Sequence, residues 1–255
     1  MLSGINCRPD KKLPPPVPEL FDSFPVVHNV SPVIKEASGI AASRTSPGDL
    51  WVVEDSDNPN EIILIGNDGK VKNRCVLLGA VNRDWEEICF SDDSLYVGDI
   101  GDNAMLFGSY TFYVFSEPSA NTDTVKNIRT VSFKYPDGSH NAEAFFVDPG
   151  TGDIYIITKN DQPSYIYKLS FPYSSAINTC TKIGEMKYSQ VVSSAISTSG
   201  AEMIVKTYDK LNYYTGNNSQ TIVESLLQTP VRLPYGREPH DKPSVFRHHG
   251  MAILL

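Results

Sequence analysis

Apolar residues along the chain fall into short alternating runs of four to seven, separated by turn signals, and no stretch sustains a helical period. Runs such as Leu50-Trp51-Val52-Val53, Leu95-Tyr96-Val97 and Ile154-Tyr155-Ile156-Ile157 read as β-strands rich in β-branched and aromatic residues. Between them lie strong turn sequences: Asn67-Asp68-Gly69, Pro136-Asp137-Gly138 and Pro149-Gly150-Thr151-Gly152-Asp153.

The runs recur on one plan. An acidic or small polar residue precedes an apolar strand, a turn follows, and an apolar–aromatic–apolar strand ends in polar residues. Two further strands complete each unit. The units begin at Glu36-Ala37-Ser38-Gly39-Ile40, Asp84-Trp85-Glu86-Glu87-Ile88, Asn141-Ala142-Glu143-Ala144-Phe145 and Ser193-Ser194-Ala195-Ile196. Their fourth strands are expected at Cys75–Leu78, Ile128–Phe133, Ile183–Met186 and Ile222–Leu227. A period of roughly 50 residues holding four short strands is the pattern of a propeller blade. The expected fold is therefore all-β, a β-propeller of four-stranded blades. Five blades are expected, with six as the alternative. Pro25–Val30 is expected as an extra strand that closes the ring on the last blade. Residues 1–24 read as a leader and Pro-rich spacer, 25–238 as the propeller, and 239–255 as an aberrant tail in which the last blade is degraded.

The formal charge of −8 argues against nucleic acid as a partner and supplies no basic patch for anionic lipid. No run is long and apolar enough to span a membrane as a helix. The Lys- and Pro-rich spacer from Lys11 to Pro18 is of the kind that tethers exported domains, so an exported, monomeric protein is expected, whether periplasmic, surface-bound or secreted. Cys7, Cys75, Cys89 and Cys180 form no C-x-x-C pair, which gives no support to zinc or dithiol chemistry, and a Cys75–Cys89 bridge is conceivable on sequence alone.

Polar residues gather at the starts of the first strands and the ends of the second strands, which antiparallel pairing brings to one mouth of the channel. That places Glu36, Glu54, Asp55, Trp85, Glu87, Asp102, Lys159, Lys206 and Tyr208 there as site candidates, with Glu86, Asp99 and Glu143 as metal ligands. Oxygen-only ligands favour Ca²⁺ or Mg²⁺ over zinc, and Ca²⁺ is the expected ion. Against this stands a purely structural reading, in which the acids cap strands or pair with Lys159 and Lys206. Trp85 is either a stacking platform at the mouth or a wedge between blades. Asp102 reaches the site only if its turn folds inward. Asp55 to Glu61 has calcium-loop-like acids but lacks the glycine and spacing of an EF-hand, so it reads as a polar turn. His140 beside Glu143 is weak evidence for acid–base chemistry, and His240, His248 and His249 fall in the tail.

The motifs Asp84-Trp85-Glu86-Glu87-Ile88, Tyr96-Val97-Gly98-Asp99-Ile100-Gly101-Asp102-Asn103, Tyr135-Pro136-Asp137-Gly138 with Ala142-Glu143-Ala144, and Ile157-Thr158-Lys159 resemble a family of bacterial, usually exported β-propeller proteins, mostly uncharacterised. More distantly, that family is compared with phytase-like and esterase-like propellers. The resemblance covers about Pro25 to Tyr235 and implies fold more than activity. The chain departs from the family at Ala195 and Ser199, and again in the last blade, where Asp241 to Leu255 lacks the family's closing strands. A tail read out of frame accounts for that departure, with a native tail as the other reading. Three functions stay open: a ligand- or cation-binding module with a small molecule at the mouth, a metal-dependent esterase- or phosphoesterase-like hydrolase, and a surface scaffold for protein or glycan.

Overall fold

The computed structural model describes residues 28–216, 220–235, 245–247 and 250–252. Blade 1 consists of β1 (Ala37–Ala42), β2 (Leu50–Glu54), β3 (Glu61–Ile65) and β4 (Val71–Leu77). Blade 2 has β5 (Trp85–Ser91), β6 (Ser94–Asp99) and β7 (Tyr110–Ser116). The short β8 (Thr124–Val125) follows in a connecting loop, and β9 (Arg129–Lys134) completes the blade. Blade 3 has β10 (Ala142–Val147), β11 (Ile154–Thr158) and β12 (Tyr165–Leu169), then the short β13 (Asn178–Thr179), then β14 (Thr181–Glu185). Blade 4 has β15 (Val191–Ile196), β16 (Glu202–Thr207) and β17 (Lys210–Thr215), then the helix α1 (Ile222–Leu226), then β18 (Val231–Leu233). A hairpin of β19 (Val245–Arg247) and β20 (Gly250–Ala252) ends the described chain. Each blade is an antiparallel meander whose strands follow chain order.

Burial falls from the axis outward. All six residues of the inner strand β10 are buried, whereas the outer strand β14 has none. Inner strands are covered on both faces by neighbouring blades, which explains their near-continuous apolar character. One cluster joins blades 1 and 2 through Trp51, Val53 and Leu64 against Trp85, Ile88 and Val97. A second joins blades 2 and 3 through Phe112 and Phe133 against Phe145 and Ile156. A third joins blades 3 and 4 through Phe146 and Ile157 against Met203 and Val205. Inner strands approach closely: a Cβ on Gly39 of β1 would lie 2.6 Å from the Glu87 Cα of β5, so only glycine fits there.

Loops of one blade latch the preceding one. β8 adds parallel to β4 and β13 adds parallel to β9. On blade 3 the latch is α1, whose Val223 and Leu226 join the cluster between blades 3 and 4. The strand expected at Ile222–Leu227 is therefore a helix. The reason is local: Thr221 caps the N-terminus and Glu224 reaches back to the Thr221 backbone, a complete capping box.

The described residues form four four-stranded blades, not the five or six expected. Among the described residues no cluster is shared between blades 4 and 1. Instead Ile40, Val52 and Ile63 make one patch, and Ile204, Leu211 and Tyr213 make another. The hairpin strand β19 lies in this sector, in contact with both β1 and β15. The expected closing strand at 25–30 is not seen in its described part: His28–Val30 is not a strand, and Ser31 bridges Lys70 of blade 1. Most of the expected tail, including His240, His248 and His249, lies outside the described residues. Cys75, Cys89 and Cys180 are free thiols, so there is no Cys75–Cys89 bridge.

Candidate functional site

The mouth is shaped by a recurring irregularity. In every blade the register between the first and second strands slips by one residue near the start of the first. The extra residue is Ser38, Glu86, Glu143 and Val192 in blades 1 to 4. A bulge of this kind redirects a side chain out of the regular alternation. The residue that follows the second strand is Asp55, Ile100, Lys159 and Tyr208 in the same order. In the first three blades its N–H bonds the carbonyl just before the first strand: Asp55 to Glu36, Ile100 to Asp84, and Lys159 to Asn141.

Glu143 and Glu86 thus hold equivalent positions in adjacent blades but differ in their partners. Glu143 is ion-paired with Lys159, whose Nζ also lies 5.1 Å from the Tyr208 ring centre. In blade 2 the position of Lys159 is taken by Ile100, which is fully buried in the core. Glu86 is 6% exposed and, among the described residues, accepts no hydrogen bond and makes no ion pair. Its neighbours are other acids. One carboxylate oxygen from each of Asp55, Asp84 and Glu86 lies within 4.8 Å of the others. The backbone at Gly101 passes directly against them. A Cβ there would lie 2.4 Å from Asp84 Oδ2 and from Glu86 Oε1.

The electrostatics follow from this crowding. Burial pushes the Glu86 carboxyl well above its usual range, with Glu143, Asp55 and Asp84 adding to the rise and Lys159 opposing it. Asp84 is pushed up to about 7 by burial and then by contact with Asp55, partly offset by Ser56. Burial also raises Asp99, against the lowering effect of the Asp84 N–H, at 2.8 Å, and of Arg83.

The structure separates the remaining candidates. Asp99 and Glu143, expected as ligands beside Glu86, have partners of their own: Asp99 accepts from the Asp84 backbone with Arg83 at 3.7 Å, and Glu143 holds Lys159. Asp84, which the sequence reading left off its list, joins the cluster instead. Glu54 is buried, accepting the Lys35 N–H at 3.0 Å with Arg74 at 3.6 Å. Glu36 is exposed and accepts from Asn58, which also ties the Asp55–Glu61 turn together. Trp85 is not a platform: it is fully buried, donates to the Val81 carbonyl and packs on Tyr113. Asp102 faces away from the mouth, accepting the N–H groups of Leu106 and Phe107 and the Tyr110 hydroxyl. Lys206 is buried, with its Nζ 5.5 Å from the Tyr235 ring, and Tyr208 is half-buried beside Lys159.

Glu87 leaves the mouth and plugs the axis. Its carboxylate accepts the Ser193 hydroxyl at 2.6 Å and the N–H groups of Ile88, Ile40 and Ser194, so one side chain of blade 2 ties blades 1 and 4. Burial raises it to about 8, against the lowering effect of these four donors.

His140 lies off the mouth between Asp161, 2.9 Å from Nδ1, and Asp137, 3.2 Å from Nε2, with the Tyr167 hydroxyl at 2.9 Å. It fastens the linker between blades 2 and 3 to the β11–β12 loop and does not contact Glu143 in any described interaction. No helix among the described residues is long and apolar enough to cross a membrane.

The chain is a β-propeller of four-stranded blades. No family model matches it, and no curated protein does. Solved structures align with much of the chain. A Bacteroides thetaiotaomicron protein bearing a provisional phosphatase label aligns with a TM-score of 0.51 and 12% identity, covering 76% of this chain and 45% of its own. An auxiliary nutrient binding protein from the same organism aligns at 0.49 and 14%, covering 81% of this chain and 43% of its own. The hydrazine synthase of Kuenenia stuttgartiensis aligns at 0.47 and 10%, covering 84% of this chain and 66% of its own. At such identities the likeness is one of fold alone. The chain spans less than two thirds of the length of each of these three.

Proposed function

We propose that the channel mouth is a ligand-binding site organised around a divalent cation, with Ca²⁺ as the leading ion and Asp55, Asp84 and Glu86 as its protein ligands. The observation that carries this is Glu86, a buried carboxylate that among the described residues accepts no hydrogen bond and makes no ion pair, whereas its equivalent in the next blade has a lysine. Leaving a buried acid unpaired beside two others is costly, and either a shared proton or a bound cation relieves the cost. The spacing suits a cation. An ion at the centre of three oxygens all 4.8 Å apart lies about 2.8 Å from each, a few tenths of an ångström beyond Ca²⁺–oxygen distances. Three protein oxygens leave several coordination positions of a six- to eight-coordinate ion open to water or to an oxygen of a small-molecule ligand. We read the β19–β20 hairpin, whose β19 touches both β1 and β15, as the remnant of a fifth blade between blades 4 and 1.

The test is a thermal melt of the chelator-treated protein with and without millimolar Ca²⁺, repeated for Glu86→Gln. A ligand at about 100 times its Kd stabilises by about 2.7 kcal/mol. For a chain of this length that is a rise in Tm of roughly 5–10 °C, and the variant loses it. An unchanged Tm in wild type would sink the reading.

A further inference from the structure

We propose that Asn82 and Ser38 are positioning residues of the mouth, which reach across the seam between blades 1 and 2 from opposite sides and hold Asp55 in register with Asp84 and Glu86. The inference rests on the reading of these three acids as a cation seat.

The three acids come from two blades. Asp55 follows β2 of blade 1, Asp84 precedes β5 of blade 2, and Glu86 is the second residue of β5. Each side is fixed within its own blade. The Asp55 N–H donates to the Glu36 carbonyl at 2.9 Å. The Asp84 N–H donates to Asp99 Oδ1 at 2.8 Å, and the Asp84 carbonyl accepts from the Ile100 and Gly101 N–H groups at 3.2 and 3.1 Å. These bonds leave open how one blade sits against the other at the mouth.

Two side chains settle that placement. Asn82, in the linker into blade 2, donates from Nδ2 to the Glu54 and Asp55 carbonyls of blade 1 at 3.0 and 2.9 Å, which uses both of its donors. Its Oδ1 accepts the Trp85 N–H at 3.1 Å. From the other side Ser38, the bulge residue of blade 1, donates to the Trp85 carbonyl at 2.7 Å. Trp85 stands between two of the three acids, so the peptides that lead to both are held by side chains. Groups that orient metal ligands without touching the metal typically change its affinity by roughly 10–100-fold when replaced. The next seam is built differently. Three residues before its inner strand stands Ser139, whose hydroxyl donates to the Phe107 carbonyl, and the bulge residue Glu143 is ion-paired there.

Calorimetric titration of CaCl₂ into the chelator-treated full chain tests this with wild type, Asn82→Ser, Ser38→Ala and Asn178→Ala. Every change is neutral for neutral, so the charge around the seat stays the same. A serine at 82 can still accept the N–H three residues on, as a cap does, but it is one atom shorter and loses its reach to blade 1. Asn178 is the matched control: it lies in β13 and donates from Nδ2 to the Ser132, Ser174 and Ala176 carbonyls, at the outer strand of blade 2. Asn82→Ser and Ser38→Ala are each expected to bind Ca²⁺ at least about fivefold more weakly than wild type, and Asn178→Ala within about twofold of it. Ser38→Ala removes a single hydroxyl and decides the matter alone if Asn82→Ser does not fold. A Kd within about fivefold of wild type in either folded variant overturns the proposal and leaves the seat intact, as does an equal loss in Asn178→Ala. A wild type that binds no Ca²⁺ overturns the seat and this inference together.

Discussion

Replacing Glu87 by Gln should remove a large, pH-dependent instability from the centre of the ring. Glu87 is 1% exposed, and burial raises its carboxyl from 4.5 to about 8. The sign follows from linkage. A carboxyl that is harder to ionise when folded favours the folded state fully below its unfolded value, near pH 4.5, and loses that contribution as pH rises through about 8. Between 4.5 and about 8, at 1.36 kcal/mol per pH unit, that is about 5 kcal/mol lost. Glutamine has the shape of the neutral acid and can still accept from Ser193, 2.6 Å away, but it cannot ionise. Below pH 5 the variant should be the less stable by about 2–3 kcal/mol, because with its oxygen kept on Ser193 its amide nitrogen replaces Oε1, the acceptor of the Ile88 and Ile40 N–H groups. By pH 9 the difference should have moved in the variant's favour by several kcal/mol, a swing of roughly 10 °C or more in Tm. Urea unfolding of both proteins from pH 5 to pH 9, in chelator throughout, measures the difference directly, and contributions common to the two cancel. A stability difference that stays constant within about 1 kcal/mol across this range would refute the reasoning.

Three further outcomes follow from the mouth and the latch. Asp84, raised to about 7, and Glu86, raised well above its usual range, must lose their protons before they can hold a metal, so the Ca²⁺-induced rise in Tm should grow as pH rises from 5 through 7; a rise independent of pH would contradict this. Gly101→Ala places a methyl 2.4 Å from two of the carboxylates, so it should abolish the Ca²⁺ response at a folding cost of about 1–3 kcal/mol, measured by melts with and without the ion. Thr221→Ala removes the cap of α1 and should cost about 1 kcal/mol in denaturant unfolding while leaving the Ca²⁺ response unchanged.

The strands were legible because each blade repeats one alternation, and because inner strands buried on both faces must be apolar throughout. The helix α1 was missed although its signal, Thr221 followed three residues later by Glu224, stands in the sequence. The apolar run Ile222-Val223 with Leu226-Leu227 fits a fourth strand just as well, and only the latch position decides between them. Blade count was not legible, because the sequence after Tyr235 repeats none of the plan, and the described residues there form only a two-stranded hairpin. At the mouth, sequence showed that acids gather on one face but not which of them meet. The bulge settles that. Asp84, Trp85, Glu86 and Glu87 are consecutive, yet Trp85 goes into the core, Glu87 goes to the axis, and Asp84 and Glu86 face each other beside Asp55. A one-residue slip in register has no signature in hydrophobic pattern alone. The different fates of Glu86 and Glu143 depend on Lys159 and Ile100, which only the strand pairing makes equivalent.

The most direct test is crystallography of the chain grown with Ca²⁺ and then with Mn²⁺, using the anomalous signal of the second ion. A peak is predicted among Asp55, Asp84 and Glu86, with carboxylate oxygens at 2.3–2.6 Å from Ca²⁺ and water filling its remaining positions. An empty seat at millimolar ion, with the three carboxylates hydrogen-bonded to one another through shared protons, would contradict the account.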